Sequence, residues 1–164
     1  MPCTGFPMQK ITPFLWFGGN AEEAVDFYVS TFPDSKILSV SRYGDDGPGP
    51  KGQAMVVTFQ LAGQEFMALN GGRDIPFNEA VSLVVGCETQ AEIDDLWARL
   101  TQGGQPSHCG WLKDRYGLSW QIVPRILGEL MTSSDPERTR RVMQVMMTMD
   151  RLDLARLQQA HAGA

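Results

Sequence analysis

The chain has 164 residues, a net charge of −5, 43% hydrophobic and 20% charged residues, which fits one domain or two small modules sharing a core. Lys and Arg form no dense block, so no nucleic-acid footprint is expected, and no apolar run is long enough to span a membrane. The first ten residues lack the basic-then-apolar pattern of a secretory leader, and Cys3, Cys87 and Cys109 cannot all pair within one chain, so they read as reduced thiols of a cytoplasmic protein.

Ile11 to Phe17 is an apolar, aromatic-rich run of strand length. Asn20 then stands where a helix cap is needed, with Glu23 placed for a capping box. Ala21, Ala24, Val25, Tyr28 and Phe32 follow at helical spacing and give one buried stripe, which Pro33 and Asp34 end. Ile37 to Tyr43 reads as a strand, and Gly44 to Gly52, rich in Gly, Asp and Pro, as a loop or hairpin tip. Met55, Val57, Phe59 and Leu61 alternate with smaller or polar residues, the period of a half-buried strand. Ala62-Gly63 turns the chain, and Glu65 to Leu69 returns as the next strand, giving the order βαβββ.

That order repeats. Ala80 to Val85 is an apolar strand, Thr89 and Glu92 form a second capping box, and Ile93, Leu96, Trp97 and Leu100 mark a second helical stripe. Gly103-Gly104 ends it, short strands follow around Gln105 to Cys109 and Trp111 to Asp114, and Ser119 to Val123 closes the set after a turn at Tyr116-Gly117. Asn20-Ala21-Glu22 echoes Gln90-Ala91-Glu92, and Gly63 with Phe66 echoes Gly117 with Trp120. A repeated supersecondary unit points to duplication. The modules are expected over 8–72 and 77–125, as one structural domain, with a helical extension over 126–164. In that extension Asp135 caps a helix with Pro136 at its first position, and Val142, Val145, Met146 and Met149 form its apolar stripe. Asp150 is placed to cap a last helix that buries Leu154 and Leu157. Methionines clustered over 143–149 read as core or dimer packing.

PFLWFGGNAEEAVDFY (Pro13–Tyr28), FQLAGQEFMALNGG (Phe59–Gly72), FNEAVSLVVGCETQAEID (Phe77–Asp94) and CGWLKDRYGLSWQIVP (Cys109–Pro124) together resemble the PhnB-like branch of the vicinal oxygen chelate superfamily, and the tail helices fit it as well. Such proteins are often labelled 3-demethylubiquinone-9 3-methyltransferase domain proteins. The resemblance implies an α+β protein of the glyoxalase/bleomycin-resistance fold, with two βαβββ modules whose sheets curl around a shared cavity, and a homodimer. The methyltransferase label is not matched by a Gly-rich loop of the G-x-G-x-x-G kind between a strand and a helix. Gly18-Gly19 is more simply a tight turn into a capped helix.

Enzymes of this superfamily usually hold one divalent metal with four side chains from the first and last strands of each module. The resemblance puts ligands at Gln121, four residues after Gly117, and at Met67, four after Gly63, with Thr12 or Pro13 and Val81 or Ser82 on the first strands. Glutamine brings no charge and a thioether suits hard divalent ions poorly, so no metal or other cofactor is expected. His108 beside Cys109 reads as a partly exposed turn histidine, and Cys109 as a packed thiol. Glu65 shares its strand face with Met67 and is the one candidate general base, with a solvated rim carboxylate as the alternative. By the repeat, Ser119 and Gln121 share the face of Glu65 and Met67. Trp16, Tyr43 and Trp111 are candidate aromatic walls of a small-molecule pocket, or plain core.

Three functional classes follow. The first is a homodimer that binds an unidentified small molecule without a metal. The second is a glyoxalase-type or other lyase or isomerase with an atypical metal site. The third is a structural dimer whose cavity its own side chains fill. A methyltransferase stands behind these.

Overall fold

The computed structural model describes residues 9–163; Cys3 and the expected module start at residue 8 lie outside them. The chain divides into two compact units, the first ending at Ile75 and the second beginning at Pro76.

The first unit contains β1 (Phe14–Phe17), α1 (Ala21–Thr31), β2 (Lys36–Arg42), β3 (Ala54–Leu61) and β4 (Gln64–Asn70). Its sheet has the order β1-β4-β3-β2, with β1 parallel to β4 and the other pairs antiparallel. The first strand starts at Phe14, three residues later than the apolar run does, because Pro13 has no N–H to give a ladder; its carbonyl still accepts from Met67 N at 3.0 Å. The helical stripe is buried as its spacing requires, from Ala21 through Ala24, Val25 and Tyr28 to Phe32. It lies on β3 and β4, whose inward residues include Val57, Phe59, Phe66 and Ala68. Ala62 and Gly63 take φ of 46° and 85°, the twist a two-residue hairpin needs.

The start of α1 departs from expectation. Asn20 holds the cap position, but its side chain makes no capping bond. The orphan N–H of Ala21 is met by Asn70 Oδ1 at 2.8 Å, reaching in from the end of β4. Asn70 also donates to Ala54 O at 2.9 Å, so one buried amide joins α1, β3 and β4.

The second unit repeats the pattern with β5 (Ser82–Cys87), α2 (Gln90–Thr101), β6 (Gln105–Pro106), β7 (Trp111–Lys113) and β8 (Ser119–Pro124), in the order β5-β8-β7-β6 with β5 parallel to β8. Thr89 caps α2 locally, its hydroxyl accepting from Glu92 N at 3.2 Å. The Glu92 carboxylate reaches back to accept from Glu88 N at 2.8 Å, one residue past the Thr89 N–H of a strict capping box. Ile93, Leu96 and Leu100 are buried, while Trp97 is only half-buried.

The tail forms α3 (Leu127–Met131), α4 (Pro136–Met146) and α5 (Leu154–Ala162) around a core of Leu130, Val142, Met149, Leu152, Leu157 and Ala160. Asp135 caps α4 as expected. The cap of α5 is Asp153, accepting from Arg156 N at 3.0 Å, and not Asp150. Leu152 is buried and Leu154 half-buried, so the apolar anchor also sits earlier than expected. Gln90 locks this corner to α2, donating to Leu152 O at 3.0 Å and accepting from Leu154 N at 2.8 Å.

Candidate functional site

Each sheet has one face against its helix, and strand alternation decides which residues the other face shows. On β4 the buried residues are Phe66, Ala68 and Asn70, so Glu65, Met67 and Leu69 face away from α1. Parallel pairing puts Phe14 beside Met67 and Trp16 beside Leu69 on that face. Trp16 donates to Arg73 O at 2.9 Å and covers Gly71, where an added Cβ would sit 2.0 Å from the indole. Gln9 brackets the Glu65 backbone, with bonds to its carbonyl at 2.8 Å and from its N–H at 3.3 Å. Tyr43 is buried, and its hydroxyl donates to Asn70 O at 2.6 Å. Its ring lies against Gly47 and Gly49, so it clasps the Gly44–Gly52 loop.

In the second unit Trp120 and Ile122 are buried toward α2, and Ser119, Gln121 and Val123 take the other face. Antiparallel register sets Lys113 opposite Ser119 and Trp111 opposite Gln121. That register is fixed by Asp114, which is buried and accepts from Tyr116 N at 2.8 Å, Leu118 N at 3.1 Å and Trp120 Nε1 at 2.8 Å. A cleft of about 430 Å³ opens here, lined by Trp111, Lys113, Ser119, Glu79, His108 and Cys109 among others. Ser119 is 1% exposed, and its hydroxyl has no hydrogen-bond partner among the described residues. Lys113 Nζ pairs with Glu79 Oε1 at 2.9 Å, and this holds the Glu79 carboxyl below its ordinary range. Gln121 is turned aside, donating to Ser82 Oγ at 2.9 Å, and lines a second groove of about 420 Å³ with Val84, Val123, Leu127 and Met131. Of the seven residues marked from sequence, Trp111 and Ser119 share the cleft, and Trp16, Tyr43, Glu65 and Met67 belong to the first unit. Sequence reasoning missed Lys113 and Glu79: counting outward from a two-residue Tyr116-Gly117 turn sets Asp114 against Ser119, whereas the loop over 114–118 brings Lys113 there.

The cleft's outer wall is strapped to the tail. Cys109 and Gly110 both take positive φ, 59° and 85°, and their N–H groups donate to Met149 O at 2.8 Å and Asp150 O at 2.7 Å. A Cβ on Gly110 would meet Ile122 O at 2.7 Å, so only glycine fits. His108 Nδ1 lies 2.6 Å from Asp150 Oδ1, and Cys109 Sγ is 3.6 Å from Met147 Sδ.

A divalent metal fits these residues poorly. Register places Phe14 beside Met67 and Val84 beside Gln121, in place of Thr12, Pro13 and Val81, while Ser82, also expected near this position, offers Gln121 only a neutral hydroxyl at 2.9 Å. Phe14 and Val84 are 50% and 62% exposed and carry no donor atom. Among the described residues no three His, Cys, Asp or Glu side chains come together as a ligand set. S-adenosylmethionine fares no better: among the described residues there is no doubly wound sheet, and Gly18 is where the Asp74 side chain packs, 2.0 Å from an added Cβ.

Two βαβββ units of identical strand order make up the glyoxalase/bleomycin-resistance fold. A family model described as 3-demethylubiquinone-9 3-methyltransferase matches residues 9–123, and the chain belongs to that family. The match ends within β8, so the tail helices lie beyond it, contrary to expectation. The chain is 44% identical to the PhnB protein of Bacillus cereus, provisionally described as a 3-demethylubiquinone-9 3-methyltransferase, over 70% of this chain and 99% of that one, with a TM-score of 0.66. Protein PA1353 from Pseudomonas aeruginosa shares the fold at 22% identity and a TM-score of 0.59, covering 71% and 98% of the two chains. The fosfomycin resistance protein FosX from Listeria monocytogenes, solved with Mn(II) and sulfate, shares it at 11% identity and 0.51, covering 76% and 99%. No curated protein matches. Among the described residues no helix is long and apolar enough to cross a membrane.

Proposed function

We propose that this protein binds a small molecule in the cleft of its second unit, as a homodimer and without a divalent metal. The observation that carries this is the Ser119 hydroxyl: buried, unpartnered, and in the wall of a cleft that also shows Trp111. A buried hydroxyl without a partner costs about 1–3 kcal/mol, a cost that a ligand supplying the missing bond would relieve. The cleft volume is in the range of small-molecule sites, and one aromatic wall with a few convergent polar groups is their usual composition. The absence of metal chemistry is supported by the apolar Phe14 and Val84 at the first-strand positions. Free Cys87 and Cys109 accord with a reducing cytoplasm.

Native mass spectrometry of untagged protein, purified without chelators and offered zinc, nickel and manganese, tests the reading. The expected species is a metal-free dimer, with any retained small molecule as added mass. One metal per site would overturn the reading in favour of a glyoxalase-type enzyme, and tight retention of S-adenosylmethionine in favour of a methyltransferase.

A further inference from the structure

We infer that the cleft is built for a carboxylate carried on a small aromatic or branched apolar body. This deepens the small-molecule reading above and rests on it. Lys113 and Ser119 stand directly opposite each other on adjacent antiparallel strands. Side chains in that relation have Cβ atoms about 5 Å apart, near enough for both to donate to the two oxygens of one carboxylate. Ser119 has its hydroxyl proton uncommitted. The Lys113 ammonium has three donors and gives one to Glu79, at 2.9 Å.

Trp111 lies two residues before Lys113 on the same strand, so its side chain leaves the same face about 7 Å further along. With Pro106 also in the lining, the apolar wall begins one benzene ring away from the donor pair. A ligand anchored at Lys113 and Ser119 therefore places its carbon skeleton on Trp111. The charge count selects a monoanion. Lys113 is the one cationic lysine or arginine in the lining, Glu79 shares it, and Asp150 stands behind His108. A dianionic phosphate would bring two negative charges to one ammonium that the Glu79 carboxylate already shares.

Glu79 then has a defined part. Its carboxylate holds Lys113 in place when the cleft carries no ligand and competes with the incoming carboxylate for the same ammonium. Removing its charge frees Lys113 for the ligand.

The test is titration of ¹⁵N-labelled full-length protein with phenylacetate and with its neutral isostere phenylacetamide, following amide resonances. Phenylacetate is expected to move resonances of residues 105–113 and 119–121, and phenylacetamide to bind about tenfold more weakly. Lys113→Met should weaken phenylacetate about tenfold and Lys113→Arg only slightly. Ser119→Ala should weaken it several-fold, and Glu79→Gln should tighten it. The spectra report on folding of each variant directly. Equal affinity for acid and amide in the cleft would overturn the carboxylate assignment while leaving the small-molecule reading standing. So would an unchanged affinity in Lys113→Met. If neither probe perturbs the cleft, the inference fails, and the broader reading is judged by whether native protein retains a molecule of another class.

Discussion

Asn70 is 2% exposed and its side chain bonds Ala21 N and Ala54 O, 49 and 16 residues away. Asn70→Ala would strand both partners inside the unit, and we expect a loss of about 2–4 kcal/mol in urea unfolding, against less than 1 for Asn20→Ala. The local sequence pointed to Asn20, because a polar residue just before an apolar stripe is the usual cap. The residue that serves is legible only once β4 is laid beside β1. Cys87 gives a second case. It is 1% exposed, and burial, with a smaller push from Glu92, raises its thiol from 9.0 to about 12. The folded value lies above the unfolded one, so the contribution of the neutral thiol is complete below about pH 9 and is lost as pH rises through 12. Stability should fall by about 1.4 kcal/mol per pH unit in that window, and Cys87→Ala should remove that part of the slope. Native protein at pH 8 should also leave Cys87 unalkylated by iodoacetamide.

At the level of elements, helices were the most readable part. The stripes of α1 and α2 are buried nearly as the 3.6-residue period marks them, because each helix has a single sheet face to cover. The corner before α5 was misread. Asp150 and Asp153 are both plausible caps by type, and the choice is made by Cys109 and Gly110, which take the carbonyls of Met149 and Asp150 as acceptors. With those carbonyls fixed, the helix can begin only after buried Leu152. Gly110→Ala should therefore be severe, by about 2–4 kcal/mol, since it adds a methyl group against Ile122 O at a positive φ. Leu152→Ala should cost about 2–5 kcal/mol and raise hydrogen exchange at the amides of 107–110 before it does so in β3 or β4. Equal exchange gains in β3 and β4 would show that the strap is not local.

For the whole chain, the repeat was legible from element order, and both units carry the same strand order. Half of the cleft was legible too, through Trp111 and Ser119. Lys113 and Glu79 were not, because cross-strand register depends on Asp114 and a five-residue turn, which hydrophobic periodicity does not report. The proposed homodimer should be seen as twice the chain mass at micromolar concentration, and a monomer there would overturn that part of the proposal. The two helix starts differ in a way that bears on how the chain acquires its structure. Thr89 caps α2 from the adjoining residue, so the first turn of that helix needs no distant strand to satisfy it. The first turn of α1 waits for Asn70 and hence for closure of a 49-residue loop. Two copies of one motif thus differ in what secures the helix: a neighbouring residue in the second, and the return of a distant strand in the first.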